Sequence, residues 1–158
     1  MASNSCLCAQ FFAFYLPATR EWIPDSLASL CLVTSQIFLL AFAYFNRKLA
    51  GMWLLIGGLA LNLAVISVNG GFMPISPDTA SHLIPATVVQ AMPLEGRFGK
   101  GKDILLLPED THLEGLADRL LSPKWFPLPV AYSFGDILIA AGAFWLLANQ
   151  PLHTKEER

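Results

Sequence analysis

The apolar positions of this chain fall into long uncharged runs rather than into the alternations of a half-buried sheet. No Asp, Glu, Lys or Arg occurs in residues 1–19, 26–46, 49–77 or 137–154. A helix that crosses a bilayer needs about 20 consecutive, mostly apolar residues. Three stretches meet that length and predict transmembrane helices over 26–46, 50–69 and 130–149. Pro24 and Asp25 precede the first, and Asn46, Arg47 and Lys48 close it. Asn69, Gly70 and Gly71 stop the second, with Pro74 just beyond. The linker Asn46–Leu49 is so short that the first two helices form an antiparallel hairpin. A fourth apolar stretch, 6–17, is too short to span and lacks the basic start of a secretory signal; it reads as a short interfacial or partly inserted helix, or as the remnant of a longer span.

Residues 72–128 are not a polar linker. Eight of the eleven prolines lie between 72 and 129, interleaved with the apolar clusters Leu83–Ile84, Val88–Val89, Ile104–Leu107, Leu120–Leu121 and Trp125–Phe126. Disordered segments lack such clusters, so this loop is expected to be ordered and to rest on the helix ends or on a partner. Ser76-Pro77 has the form of an N-cap followed by proline at the first helical position. Short helices are predicted from Pro77 to Ile84, from Pro85 to Ala91 and within Thr111–Leu121, with Ile104–Leu107 as a strand or packed extended segment. Gly96, Gly99 and Gly101, with Arg97, Lys100 and Lys102, predict a flexible, solvated basic turn. The expected fold is therefore an all-α integral membrane protein in one domain, with a proline-rich loop between its last two spans and a short tail over 150–158.

Composition supports this. Of 158 residues, 54% are hydrophobic and 14% charged, and mean hydropathy is +0.52; soluble domains carry about 25% charged residues. The net charge of −2 leaves no basic excess to neutralise phosphates, so nucleic acid is not an expected partner. The bilayer is, together with other membrane-protein subunits. Trp22, Tyr44, Trp53, Trp125, Phe126 and Trp145 fall near the predicted span ends, as in an interfacial aromatic belt. Arg47, Lys48, Lys155 and Arg158 then place 46–49 and the C-terminus in the cytoplasm and the loop outside.

Polar residues inside spans are the first place to look for function. Ser29, Gln36 and Ala43 share one helix face, Gly58, Asn62 and Asn69 a second, and Asp136, Ala140 and Ala143 a third. Interhelical hydrogen bonding and a transport path both fit such stripes. Ser133-Phe134-Gly135-Asp136 has capping-box spacing, with Asp in place of Glu. It starts the last helix near Phe134 and leaves it about 15 residues, or ~23 Å, against a hydrocarbon core of about 30 Å. Asp136 is thus either a structural cap or a proton- or ion-handling acid. His82, His112 and His153 share no ligand spacing with Cys6 and Cys8, Cys31 reads as packing, and Glu109–Asp110 as a surface turn. No catalytic, metal or cofactor motif is present.

NGGFMPISP (69–77), KGKDILLLPEDTHLEGLADRL (100–120) and FPLPVAYSFGDILIAAGAF (126–144), in that order, resemble the bacterial membrane-protein domain-of-unknown-function family 5317, over residues 35–148. The resemblance implies a polytopic helical membrane protein, generally with more N-terminal hydrophobic sequence than here. It carries no assigned activity and no catalytic residue. It implies that Asn69, Gly70, Gly71, Pro74, Pro77, Ser133, Gly135 and Asp136 form one site, to which the helix-face reading adds Asn62. The functional expectation is a structural or accessory subunit of a membrane complex in the bacterial inner membrane; the alternative is a small transporter or proton-handling protein using Asp136.

Overall fold

The structure, a computed structural model, describes residues 24–99 and 101–149. The 6–17 segment and the tail therefore lie outside the described residues. Three helices form the body. Helix α1 (Asp25–Phe45) starts after Pro24, whose extended ψ and fixed φ suit the position before a helix, and carries Asp25 in its first turn. It ends at Asn46, whose side-chain Nδ2 donates to Phe42 O at 2.8 Å. Gly51, at φ +82°, then turns the chain into α2 (Met52–Val68), and the predicted hairpin is formed. Helix α5 (Phe134–Ala148) completes the body. Among the described residues, α1 alone is long and apolar enough to cross a membrane; α2 and α5 are apolar but shorter, at 17 and 15 residues.

Between α2 and α5 the chain builds a small mixed cap, so the fold is not all-α. Strands β1 (Met73–Ile75) and β3 (Asp103–Leu105) pair in parallel, and β2 (Arg97–Phe98) adds antiparallel to the other side of β3. Helices α3 (Pro77–Ser81) and α4 (Ala86–Ala91) cross between β1 and β2. Leu120–Leu121 (β4) pairs antiparallel with Ala131–Tyr132 (β5). The run Ile104–Leu107 is too short for a helix and has Pro108 behind it; it gains its backbone partners from β1 on one side and from Glu95, Gly96 and β2 on the other. Pro74 sits within β1 without breaking the sheet, because β1 is an edge and its ladder bonds are made by Met73 and Ile75: Met73 N–H to Lys102 O at 2.9 Å, and Leu106 N–H to Ile75 O at 3.1 Å.

The last helix begins at Phe134, where the capping-box spacing put it, and strand β5 takes up the start of the 130–149 stretch. One further expectation changes. Thr111–Leu121 holds only one 3-10 turn, Glu114–Leu116, because Leu113 at φ +56° and Gly115 interrupt any longer helix.

Three apolar cores divide the interior. Ala43, Met52 and Leu59, with Ile139 and Leu146, join the helices. Ala28, Leu32, Val65 and Ile66 meet Phe72 and Met73, which bolts the α1–α2 hairpin to the cap. Ile75, Ala80, Val89, Phe98 and Leu105 fill the cap itself, each large side chain contributing about 1.5–3 kcal/mol on burial.

Candidate functional site

Helices α2 and α5 approach through glycines. A Cβ on Gly58 would collide with Gly135 O, one on Gly135 with the Asn62 side chain, one on Gly51 with Gly142 O, and one on Gly142 with Gly51 O. Gly51 and Gly58 are seven apart, as are Gly135 and Gly142, so each pair repeats after two helical turns with the helices antiparallel. The inner face of α5 is thus Gly135 and Gly142, both buried. The expected Ala140–Ala143 face is turned away, with Ala140 exposed.

This close approach brings Asn62 onto the start of α5. Ser133 Oγ accepts from Asp136 N–H at 3.1 Å and donates to Asn62 Oδ1 at 2.9 Å. Asp136 Oδ2 accepts from Ser133 N–H at 3.1 Å, and Oδ1 accepts from Asn62 Nδ2 at 2.8 Å. The capping box read from the sequence is present, and Asn62 closes it into a ring of hydrogen bonds. Ser133 and Asn62 are buried, as such a fully satisfied network permits.

The second half of the expected site lies two turns further along α2. Gly70 (φ +73°) and the bond from Gly71 N–H to Ile66 O at 2.8 Å form the long bond of a Schellman stop. The Asn69 amide acts like a strand partner for His112: Oδ1 accepts from His112 N–H at 2.9 Å, and Nδ2 donates to His112 O and to Val65 O, each at 2.8 Å. Gly71 (φ +87°) leaves room for the Ser29 side chain of α1. Pro74 is a buried edge-strand residue, and Pro77 follows the Ser76 cap, whose Oγ accepts from Thr79 N–H at 3.1 Å. The structure therefore places Asn62, Ser133, Gly135 and Asp136 together, puts Asn69, Gly70 and Gly71 in a neighbouring anchor for the cap, and leaves Pro74 and Pro77 in the cap scaffold.

Sequence reasoning missed the strongest electrostatic feature. Lys102 Nζ stands 2.6 Å from Asp118 Oδ2 and 3.4 Å from Asp103 Oδ1. Only 3% of the Asp118 side chain is exposed, and Asp118 Oδ1 is buried with no hydrogen-bond partner. Burial pushes Asp118 up to about 7; Lys102 opposes this, while the charges of Asp103 and Asp136 reinforce it. Burial acts to lower Lys102, but Asp118, Asp103 and Asp136 outweigh it and hold the ammonium above its ordinary value. A cleft of about 260 Å³ adjoins Asp118, walled by Ser76, Thr79, Thr111 and Glu114 among others. The sequence signal was the presence of charges inside the apolar runs GKDILLL and LADRL.

Nor is the glycine-rich stretch a solvated basic turn. The Arg97 side chain is 7% exposed, with Nη1 3.3 Å from Asp25 Oδ1 and the guanidinium 5.5 Å from the Phe72 ring centroid. It ties the cap to the start of α1. Lys100 lies outside the described residues. Glu109 and Asp110 do form an exposed turn. Among the described residues, no group of three His, Cys, Asp or Glu side chains is placed to hold a metal ion.

The fold and its polar junction define a class: an apolar helical body closed at one end by a small α/β cap. Within it, the chain belongs to the Family of unknown function (DUF5317), whose family model matches residues 4–148. The match starts well before residue 35, where the resemblance read from the sequence begins. Neither a curated protein nor a solved structure matches the chain.

Proposed function

We propose that this chain is a small bacterial inner-membrane protein whose α1, α2 and α5 cross the bilayer together, and that it serves as a structural or accessory subunit of a membrane complex. The outward surface of the helices carries this reading. Only 22% of the apolar window of α1 is buried, and Leu30, Phe38, Phe42 and Phe45, with Trp53 on α2 and Phe144 and Leu147 on α5, are exposed. Such a surface greatly exceeds the scattered apolar residues of a soluble monomer, while lipid covers it at no cost. The polar groups that lipid would not tolerate, Asn62, Ser133 and Asp136, are turned inward and satisfied by one another, which favours a structural junction over a transport path. The cap then stands on the extracytoplasmic side, with 46–49 and the C-terminus in the cytoplasm.

Membranes washed with alkaline carbonate should retain the chain, and purification in mild detergent should recover it with partners at fixed stoichiometry. Release by carbonate would end the membrane reading; a clean monomer would end the subunit reading. A Lys100→Cys variant should react with an impermeant maleimide in intact cells, and labelling only after lysis would reverse the orientation.

One arrangement favours a second reading, proton handling: Asp118 borders a cleft of the cap with Lys102 at 2.6 Å, and burial pushes its carboxyl up to about 7. Proton flux in vesicles containing the purified chain, lost in Asp118→Asn, would support it; flux equal to that of empty vesicles would dismiss it.

A further inference from the structure

We infer that the hairpin between β4 and β5 dips its tip into the lipid interface, as a second contact with the bilayer beside the helices. The inference rests on the membrane reading above. Residues 122–130 read SPKWFPLPV. Trp125 is 82% exposed, and Phe126, Leu128 and Val130 are exposed with it. Nothing else in the cap presents so much apolar side chain from so few residues. Trp125 and Phe126 lie edge to face with centroids 6.2 Å apart, a rigid aromatic wedge next to the cation of Lys124. Trp and Lys are the side chains that favour the headgroup level.

The backbone of the tip suits the headgroup level, where water still reaches, rather than the hydrocarbon. Three of the seven residues 123–129 are prolines and have no N–H to satisfy. Of the four N–H groups left there, that of Phe126 is bonded within the loop, and the base of the loop is closed by Ser122 and Val130. Ser122 N–H donates to Val130 O at 2.9 Å, and Phe126 N–H to Pro123 O at 2.9 Å. Ser122 Oγ accepts from Val130 N–H at 3.0 Å and donates to Leu128 O at 3.1 Å. The prolines lower the number of donors the tip must leave to headgroups and interfacial water.

Position supplies the choice of lipid over a protein partner. Two strand residues and one cap residue separate Val130 from α5, so the base of the loop is tethered within about 14 Å of the point where that helix starts, and Trp125, nine residues before Phe134, within about 32 Å. The exposed apolar series continues from the tip through Phe134 and Ile137 onto the outer face of α5. Helix α5 is also the shortest of the three: 15 residues rise about 22 Å, less than the ~30 Å hydrocarbon core. An apolar segment resting in the interface at its N-terminal end makes up part of that shortfall.

The test uses the full chain in phosphatidylcholine–phosphatidylglycerol vesicles, with Trp22, Trp53 and Trp145 replaced by Phe so that Trp125 alone reports. Its emission should be blue-shifted, quenched at least twofold by lipids brominated near the headgroup end of the acyl chain, and shielded from aqueous acrylamide. Red emission with free acrylamide access, in chains that still float with the vesicles, overturns the hairpin inference and leaves the membrane reading standing. Blue emission that brominated lipid does not quench overturns it in favour of a protein contact. Chains that fail to float overturn both. In case the Phe replacements disturb folding, a nitroxide on Leu128→Cys in a background with Cys6, Cys8 and Cys31 replaced by Ser gives a second reading. Oxygen access should exceed that of a water-soluble nickel chelate, and the reverse order refutes the inference.

Discussion

Asp136 joins two elements with two oxygens: Oδ2 holds the Ser133 N–H at the start of α5, and Oδ1 holds the Asn62 amide on α2. Asparagine at 136 keeps one acceptor and turns the other into a donor, so it faces either the Ser133 N–H or the Asn62 Nδ2 with the wrong group. Leaving a buried donor unpaired costs about 1–3 kcal/mol, so Asp136→Asn should lower the unfolding midpoint in detergent. The geometry also predicts a rescue. In Asn62→Asp/Asp136→Asn, the new carboxylate accepts from Ser133 Oγ and from the new amide, whose oxygen still accepts from Ser133 N–H. The double variant should therefore be more stable than Asp136→Asn alone. Equal or lower stability in the double variant would mean that the ring of bonds is not what holds the junction. Ser133, Gly135 and Asp136 were legible as a group because a capping box is local in sequence. Asn62 was legible only as a polar residue in an apolar run; its partner, 74 residues away, was fixed by helix packing.

At the scale of elements, that packing depends on glycine register. Gly142 faces the backbone of Gly51 and Leu55 so closely that any side chain must push α5 off α2. Gly142→Ala is expected to cost about 1–3 kcal/mol. Gly115→Ala, at a position with open space and no positive φ, should stay within about 0.5 kcal/mol. Thermal unfolding of the two variants side by side checks this, and equal midpoints would remove the glycine contact from the account. The four glycines are plain in the sequence, but their pairing is not. The stripe read on α5 began at Asp136, one residue from Gly135, and one residue is about 100° around a helix. The cap was less legible still. Its strands are two or three residues long, too short to show an alternating pattern, and β1 meets β3 only after a crossover of 27 residues. What did survive from the sequence in this region is local: the Ser76-Pro77 helix start, the helix after Pro85 through Ala91, the extended segment at Ile104 and the Asn69–Gly71 stop.

For the whole molecule, the charges of Lys102, Asp103 and Asp118 inside the cap make stability depend on pH. Asp118 is raised from 3.8 to about 7, chiefly by burial. Between those values the folded chain binds a proton that the unfolded chain has lost, so this residue's contribution to stability is greatest in acid and declines as pH rises from about 4 to 7, by at most about 1.4 kcal/mol per unit. Lys102 behaves in the opposite range: with its value raised above 10.5, it stabilises the fold through neutral pH, and that contribution is lost only in stronger alkali. Asp118 alone thus ties this cluster to the pH range of ordinary media. Subtracting the unfolding profile of Asp118→Asn from that of the unchanged chain, between pH 4 and 8, cancels the carboxylates and histidines common to both. The difference should slope downward and level off above about 7. Parallel profiles would show that Asp118 is ionised throughout, held down by Lys102 at 2.6 Å, and would leave the cluster as a plain ion pair within the cap.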